Sequence, residues 1–399
     1  MNKKVMTLAV AGAFAAPAAA FAQASNVQIF GTMYLEYAYA KQGAIAGPSG
    51  GDLVNVDIMQ TPGSEIGVKG EEALGGGTSA WFQCVSTADI RGSSQNGFCS
   101  RNSAIGVKGA FGNAYAGNWD MPMKKTAGAA RITSDTGIWG VGRMLYGDSS
   151  TFNGQATPYS FSRRQNSSLF YDSPNFSGFQ GSVGISSTSG STGQTANSSG
   201  SKPRVWGVAG SYTNGPLYVT LAYEQHKNFG ANNTINGGAG YNGDDSAWHA
   251  GIAYQLGPVK VGLLYVKRNY DMSANGATDL DVDTWNLAAE WRIAGPHALR
   301  GGYTKANDTG GSSGTSLVPI TFGAAGGNLV ANGGAGSTGG WIGQIQYVYN
   351  ASKRTEYTLG YVYLSNDGNA RYSLGGLSAG TIKPGETQQA FAVSMKTTF

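Results

Sequence analysis

The sequence predicts an all-β protein whose strands close into a sixteen-stranded antiparallel barrel across a membrane. Segments of about ten residues alternate apolar with small or polar side chains, which is the period of a β-strand. The breaks between these segments alternate in length, with seven short turns and eight long loops rich in Gly, Ser and Asn. Beyond the first residues, no apolar run reaches the length of a transmembrane helix. Strands are therefore the elements that would carry this chain through a bilayer.

Individual strands have one apolar and one polar face. In LYVTLAYEQ, Leu217, Val219 and Leu221 share a face, and Thr220 and Glu224 lie on the other. The 63 glycines and 21 tyrosines of the 399-residue chain likewise favour strands and turns over helices. A soluble sandwich would also bury such faces, but short turns on one side and long loops on the other are typical of outer-membrane barrels. At sixteen strands the interior is too wide for side chains to fill, which predicts an aqueous channel.

The first 22 residues have the layout of a secretory signal peptide. An apolar run follows Lys3 and Lys4 and ends at the small residues Ala20 and Ala22. An interrupting proline and the lack of stop-transfer charges argue against the alternative, a membrane anchor. Cleavage after Ala22 would leave residues 23–399 as one exported domain and would lower the formal net charge from +4 to +2 by removing two lysines. That balance does not suit a nucleic-acid partner.

The two cysteines, Cys84 and Cys99, are predicted to form a disulfide. They are separated by 14 residues in a chain that is expected to reach an oxidising compartment. A bridge of this span would contribute about 3 kcal/mol in the chain-entropy treatment. The alternative is a pair of free thiols.

Several motifs follow one another in a fixed order along the chain. They are NVQIFGTMYLEYAYA at 26–40, GSEIGVKGEEALGGGTSAWFQ at 63–83, RNSAIGVKGAFGNAYAGNWDMP at 101–122, RRQNSSLFYDSPNFSGFQGSV at 163–183, YNASKRTEYTLGYVYLSNDGNARYSL at 349–374 and FAVSMKTTF at 391–399. In this order they resemble the general, non-specific porins of Gram-negative outer membranes, in the branch typified by neisserial and Burkholderia-type porins.

The resemblance implies a homotrimer of barrels in the outer membrane, each a channel for passive diffusion of small hydrophilic solutes and ions. It implies contact with outer-membrane lipid and lipopolysaccharide, and it implies no cofactor. It also implies that the third external loop, at about 120–162, folds into the pore and narrows it. In such pores, basic residues on the wall face acidic residues on the loop, and the field across the gap selects ions by sign.

Strand parity identifies candidate wall residues for this constriction. In RRQNSSLFYD, Arg164 alternates inward, whereas Arg163 alternates outward, towards headgroups or a neighbouring subunit. Arg101 matches a wall arginine of the family, but parity from Ile105 and Val107 turns it outward. A β-bulge near the rim would reconcile these two interpretations. For all three arginines the alternative is a solvated rim charge.

An acidic residue reduces the predicted selectivity. Glu65 alternates inward at a position where family members commonly carry a basic residue, so it would partly cancel the wall arginines. The loop adds mixed charges at Asp120, Lys124, Arg131 and Asp135. The alternative for the two aspartates is a turn-forming or capping role. We therefore expect weak selectivity that leans towards anions.

An enzymatic function is not predicted. The three histidines, His226, His249 and His297, fall on or beside different strands. The glycine clusters contain no phosphate-binding loop, and the cysteines do not form a C-x-x-C pair. No metal site is predicted.

A substrate-specific outer-membrane channel for sugars or small organic acids is the competing hypothesis. Such a pore needs an ordered path of aromatic or charged side chains, and Trp119, Trp139, Tyr146 and Phe170 are candidates for it. The alternative is that these rings pack the loop against the wall.

The final strand is predicted to be an assembly signal as well as a wall element. Phe391, Val393, Met395 and Phe399 alternate towards lipid, and the strand would close the barrel against NVQIFGTMYLE. A terminal Phe after alternating apolar residues resembles the signal that the outer-membrane assembly machinery recognises.

Deleting Phe399 should impair assembly more than conductance, because the residue is expected to matter for recognition and not for the channel. The measurement compares the yield of folded trimer in outer membranes with the single-channel conductance of the protein that does assemble. Phe391→Ala, which removes an outward ring from the same strand without altering the end, serves as the control. A normal trimer yield without Phe399 would contradict the assembly role.

Overall fold

The computed structural model describes most of the chain after its first residues. The described ranges are 26–44, 55–92, 97–147, 151–152, 155–156, 160–188, 204–228, 244–271, 278–312, 320–322, 327–329, 336–377 and 382–399. The predicted signal peptide, residues 1–22, lies outside them. None of the helices within these ranges has the length and hydropathy needed to cross a lipid bilayer.

The first half of the chain contains ten strands and two short helices in the described ranges. They are β1 (Asn26–Lys41), β2 (Asn55–Gln60), β3 (Glu65–Gly75), β4 (Thr78–Thr87), β5 (Ser103–Gly109), β6 (Gly112–Asp120), α1 (Pro122–Arg131), α2 (Gly142–Tyr146), β7 (Thr151–Phe152), β8 (Gln155–Ala156), β9 (Arg164–Asp172) and β10 (Phe179–Ser186).

Strands alone make up the regular structure described in the second half. They are β11 (Arg204–Asn214), β12 (Leu217–Lys227), β13 (Asp245–Leu256), β14 (Val259–Tyr270), β15 (Thr278–Ala294), β16 (His297–Ala306), β17 (Gly310–Ser312), β18 (Ile320–Phe322), β19 (Gly327–Leu329), β20 (Gly340–Asn350), β21 (Thr355–Asn366) and β22 (Gln388–Thr398).

Sixteen strands form a closed antiparallel barrel, as predicted: β1, β3 to β6, β9 to β16 and β20 to β22. Each of these strands pairs with the next of the sixteen. The ring closes where β1 pairs with β22, from Thr32 opposite Thr398 to Lys41 opposite Gln389. Two shorter strands complete the eighteen-stranded sheet: β2 lies beside the far half of β1, and β17 lies beside β15. The pairs β7–β8 and β18–β19 are separate two-stranded ribbons.

The two ends of the barrel differ in the way that the alternating connections predict. Seven short turns join strands at one end, called here the turn end, where Asn26 and Phe399 also lie. The long connections lie at the other, the loop end. Because a closed ring leaves no free strand edge, every barrel strand can pair its backbone N–H and C=O groups by hydrogen bonds within the sheet.

The outer face of the barrel is apolar. Ile105, Leu169 and Leu221 are 61–69% exposed on this face, whereas Ala390 and Ala392 of the terminal strand are buried inside. Apolar side chains at this exposure suit contact with lipid tails. The alternation predicted for the strands is thus confirmed.

Loop 3, defined here as residues 121–163, folds into the barrel. Pro122 occupies the first turn of α1, where its fixed φ and missing N–H suit a helix start. The buried residues Met123, Ala127 and Ala130 form one stripe of α1, which packs on the inner face of β11 to β14. The expected insertion of the third loop is therefore confirmed.

Loop 3 shares an apolar core with residues 367–377 inside the barrel. Ile138, Trp139 and Leu145 of loop 3 pack in the same buried cluster as Leu374 and Leu377. Wall residues such as Ala222 and Ala392 belong to the same cluster, so this core is continuous with the inner face of the barrel.

Two wall glycines, Gly251 and Gly262, allow α1 to approach the barrel closely. A Cβ at Gly262 would lie 2.1 Å from the carbonyl oxygen of Ala130, and one at Gly251 would lie 2.8 Å from Ala130 Cβ. No larger side chain fits at Gly262 while loop 3 stays in place.

Gly262→Ala should displace α1 from the wall and destabilise the folded barrel by about 1–3 kcal/mol, the usual effect of overpacking. The midpoint of thermal denaturation in detergent measures this change. Gly210→Ala is the matched control, because no atom lies within 4 Å of a Cβ at that strand position. Equal midpoints for the two variants would show that α1 does not depend on this contact.

Candidate functional site

Five charged side chains meet where loop 3 leaves the wall. They form the rim cluster: Glu65 at the start of β3, Arg101 just before β5, Asp120 at the end of β6, Lys124 on α1 and Arg164 at the start of β9. Neighbouring staves place these strand ends side by side at the loop end of the barrel. The cluster therefore combines four wall positions with one loop position.

Short contacts connect the members of the rim cluster. Arg101 Nε donates a hydrogen bond to Glu65 Oε2 at 2.7 Å. Arg164 Nη2 and Lys124 Nζ lie 3.3 Å and 3.4 Å from the same Asp120 Oδ1. Three bases thus face two acids, and the formal charge of the cluster is +1. All five side chains are 18–30% exposed, so water screens these ion pairs. The pairs therefore position the charged groups but contribute little to the stability of the fold.

The Asn102 side chain bridges Asp120 and Arg164. Its amide nitrogen donates to Asp120 Oδ2 at 2.9 Å, and its amide oxygen accepts from Arg164 Nε. Gln83 Nε2 donates to the Asn102 carbonyl oxygen at 2.9 Å, which ties this residue to β4. Asp120, Arg164 and Asn102 therefore form one hydrogen-bonded group, beside which Arg101 pairs separately with Glu65.

A β-bulge turns Arg101 towards the lumen. Ala104 pairs with Gln83, but the Arg101 N–H bonds the carbonyl oxygen of Val85 at 2.8 Å, so three residues on one strand oppose two on the other. The Val85 N–H bonds the Ser103 hydroxyl at 2.9 Å in place of a backbone carbonyl. The extra residue reverses the alternation that would have sent Arg101 outward.

The outward position expected for Arg163 is wrong. Its side chain is 3% exposed and interacts electrostatically with Glu224, which is fully buried. The ladder between β6 and β9 shifts register between Gly117 and Trp119, and Ser167 has φ 50°, so alternation breaks before it reaches Arg163. Burial lowers the pKa of the Arg163 guanidinium to about 10, and the Glu224 charge opposes this change.

The remaining predicted charges belong to the internal structure of loop 3. Arg131 Nη1 lies 2.8 Å from Asp135 Oδ1, and Ser162 Oγ donates to Asp135 Oδ2 at 3.1 Å. Arg131 Nε also donates to the Thr133 carbonyl oxygen at 3.1 Å. The Arg131–Asp135 ion pair is local, whereas the hydrogen bond from Ser162 joins the returning end of loop 3 to Asp135; both contacts lie outside the rim cluster.

Glu36 is an anchor for loop 3 that sequence reasoning missed. Its Oε1 accepts the Ile138 N–H at 2.8 Å, and its Oε2 accepts the Tyr34 hydroxyl at 2.9 Å. Gln60 also donates to the carboxylate. The alternation of side chains in β1 predicts an inward Glu36, but the sequence contains no signal for its hydrogen-bond partner Ile138, 102 residues away.

Further anchors seat the middle of loop 3. Tyr146 hydroxyl lies 3.2 Å from His249 Nδ1, and Thr126 Oγ1 lies 3.3 Å from His249 Nε2. Arg268 Nη2 donates to the Met144 carbonyl oxygen at 3.1 Å. Burial raises the pKa of the Tyr146 hydroxyl, so this phenol stays protonated and neutral.

The aromatic residues considered for a substrate path separate into two groups. Trp139 and Tyr146 are 2% and 0% exposed within the loop core. Trp119 lies on the wall instead, where its ring centroid is 5.8 Å from that of Trp81, and Phe170 stacks on Tyr115 with a centroid distance of 5.1 Å. The rings of loop 3 therefore pack in the apolar core, and the rings on the wall form a separate cluster.

Cys84 and Cys99 are joined by a disulfide with a Cα–Cα distance of 4.7 Å. The bridge connects β4 to the segment that leads into β5. Because Cys99 precedes Arg101 by only two residues, the bridge also restrains the backbone that carries this arginine.

The described part of the chain offers no group of three or more His, Cys, Asp or Glu side chains that could hold a metal ion. The rim cluster combines charges of both signs with partial exposure to water, and four of its five members lie at or beside strand ends. It lacks the nucleophile–base arrangement of a hydrolase.

Comparisons with known proteins agree with this architecture. The Gram-negative porin family matches residues 7–369. The chain is 27% identical over 406 residues to outer membrane porin protein 32 of Delftia acidovorans, with 100% of both chains covered. It is 27% identical over 323 residues to major outer membrane protein P.IB of Neisseria meningitidis serogroup B, covering 77% of this chain and 85% of that relative.

A solved structure shows the same fold. The anion-selective porin from Comamonas acidovorans superposes with a TM-score of 0.69 at 21% identity, covering 94% of this chain and 100% of the other. A closed sixteen-stranded barrel, an inserted third loop and a family match over most of the sequence lead to one assignment. This chain belongs to the Gram-negative porin family.

Proposed function

We propose that the protein is an outer-membrane diffusion porin, a water-filled channel for passive passage of small hydrophilic solutes and ions, with weak selectivity that leans towards anions. The observation that carries this proposal is the barrel lumen narrowed by loop 3 beside the rim cluster. A passage bordered by fixed charges filters solutes by size and sign without binding them tightly.

The near balance of charges in the rim cluster accounts for weak selectivity. Glu65 pairs with Arg101, and Asp120 is shared between Lys124 and Arg164. Each carboxylate offsets a basic neighbour, and one positive charge remains in excess. An excess cation in a narrow gap attracts anions and repels cations, most strongly at low salt.

Relatives support the anionic direction. The Comamonas acidovorans structure, which shares this fold, is described as an anion-selective porin. In this chain, Glu65 stands where a basic residue would strengthen such a preference. We therefore expect a smaller permeability ratio than a fully basic wall would produce.

The remaining predicted site residues act in support of the constriction. The Arg131–Asp135 pair keeps loop 3 folded, and Arg163 with Glu224 fastens its returning end to the inner wall. The bridge between Cys84 and Cys99 holds the segment before Arg101. These roles concern the shape of the gap and not its charge.

For assembly, we propose that residues 1–22 are removed on export and that the mature chain forms a homotrimer surrounded by outer-membrane lipid and lipopolysaccharide. Vibrio cholerae OmpT, whose fold is similar at 14% identity and a TM-score of 0.60, has been solved in a trimer form. Phe399 is proposed as the residue that the assembly machinery recognises.

Conductance of the purified protein in planar bilayers tests the proposed function. We expect conductance that rises linearly with salt, three-step closures and a small reversal potential of anionic sign under a KCl gradient. A clear cation preference would refute the anionic direction, and single-step closures would contradict the trimer. A protein without ion conductance would refute the channel itself.

Arg164→Glu should lower the anion-to-cation permeability ratio, because it changes the formal charge of the rim cluster from +1 to −1. The reversal potential under a KCl gradient measures the ratio. Lys267→Glu makes the same change of charge on an outward-facing position of β14, 38% exposed, and should leave the ratio near the wild-type value. If the two variants shift the ratio equally, Arg164 does not border the passage.

A further inference from the structure

The lumen wall contains a second feature, separate from the rim cluster and closer to the turn end. It is a recess of about 640 Å³, called here the mouth recess. Its lining comes from β1 and β3 to β5 and includes Gln28, Lys69, Glu71, Trp81, Gln83 and Lys108, with Phe82 at its border.

Strand register shows that these side chains share the inner face. Gln28 lies opposite Lys69, Lys69 opposite Gln83, and Ser79 opposite Lys108. Directly opposed residues in an antiparallel ladder point to the same side of the sheet. The recess therefore opens to the lumen and not to lipid.

The aromatic side of the recess is Trp81. Its ring centroid lies 5.5 Å from that of Tyr115 and 5.8 Å from that of Trp119, and its indole N–H donates to Asn113 Oδ1 at 2.7 Å. Tyr115 is buried beneath it and stacks in turn on Phe170. These contacts hold the half-buried Trp81 ring in one orientation at the edge of the recess.

The charged side of the recess has an excess of positive charge. Lys108 Nζ pairs with Glu71 Oε2 at 2.7 Å. Lys69 forms no ion pair with any Asp or Glu among the described residues, and its ammonium lies 4.9 Å from the centre of the Phe30 ring. An anionic group in the recess would therefore find one lysine without a carboxylate partner.

We propose that the mouth recess binds small aromatic carboxylates of the benzoate class, with the carboxylate at Lys69 and the ring against Trp81. Lys69 and Trp81 are diagonal neighbours across β3 and β4, because Lys69 opposes Gln83 and Glu71 opposes Trp81. Diagonal neighbours in a sheet are roughly 7–8 Å apart, which suits a ligand that joins a planar ring directly to a carboxylate.

Other solute classes satisfy fewer of these groups. A neutral sugar would stack on Trp81 but leave Lys69 without a counter-charge. A small aliphatic anion would pair with Lys69 but leave the face of the Trp81 ring in contact with water. An aromatic cation would be repelled by the excess charge. A planar aromatic anion is the class that uses both groups at once.

The inference rests on the proposed function, since solutes reach the recess through the channel. An anion that passes the rim cluster meets the mouth recess before it leaves at the turn end. Brief binding there would concentrate aromatic anions in the lumen without making the pore specific for them. The recess would thus change the order of permeation among anions of similar size.

Chloride conductance through single channels in planar bilayers, with sodium benzoate added in increasing concentration, tests the proposal. We expect a saturable decrease in chloride current with benzoate and little decrease with acetate or cyclohexanecarboxylate at equal concentration. Trp81→Leu should raise the half-blocking concentration of benzoate roughly threefold to tenfold, the effect of losing one aromatic contact.

Lys69→Gln provides a second variant, at an exposed lysine whose substitution removes no ion pair among the described residues. It should raise the half-blocking concentration of benzoate and leave that of the neutral analogue benzyl alcohol unchanged. Trp291→Leu, the same substitution on the outward face of β15, should leave benzoate block at the wild-type level.

Two results would overturn the proposal. The recess proposal would be refuted if benzoate blocked the current no more strongly than acetate, or if benzoate block were unchanged in both recess variants. The proposed function as a diffusion porin would not be affected by either result. A wild-type protein that conducts no chloride would refute the proposed function and the recess with it.

Discussion

Backbone hydrogen bonding has to be complete wherever a chain meets lipid tails, because an unpaired N–H or C=O in hydrocarbon costs several kcal/mol. In this protein the pairing of β1 with β22 joins the first and last of the sixteen barrel strands and closes the ring. Once the ring closes, each stave has one face towards lipid and one towards the lumen. A ring of sixteen staves is too wide for its own inward side chains to fill, so the lumen must hold water, loops or both.

Loop 3 determines how much of that lumen remains open. Its buried stripe on α1 lies against wall glycines, and its tip is held by Glu36, its middle by His249 and Arg268. Residues 367–377 pack on the same apolar core. The rim cluster and the wall aromatics lie on β3 to β9, beside the start of α1. In the proposed function, the position of the ion filter therefore follows from the packing of loop 3.

The passage combines two kinds of chemistry in sequence. Near the loop end, the rim cluster presents charges that nearly cancel, and we propose that it therefore selects ions only weakly by sign. Towards the turn end, Trp81 and Lys69 offer an aromatic face and a cation without a carboxylate partner. In our proposal, the rim cluster acts through its electric field, whereas the mouth recess acts only on solutes that touch the wall. A general diffusion pore of this kind would discriminate among anions without a tight binding site.

The sequence by itself determined the barrel, its sixteen staves, the short and long connections and the outward face of the final strand, because side-chain alternation and turn composition are local properties of the chain. Only the tertiary structure decided where the charges point. Arg101 turns inward at a bulge against β4, and Arg163 turns inward after a register shift between β6 and β9. Register depends on hydrogen bonds to a neighbouring strand, and the anchor at Glu36 depends on a loop 102 residues away. The alternation of inward and outward side chains can be predicted along a single strand. The neighbouring strand that causes a bulge, and the residue that pairs with a charge, depend on the tertiary structure of the closed barrel.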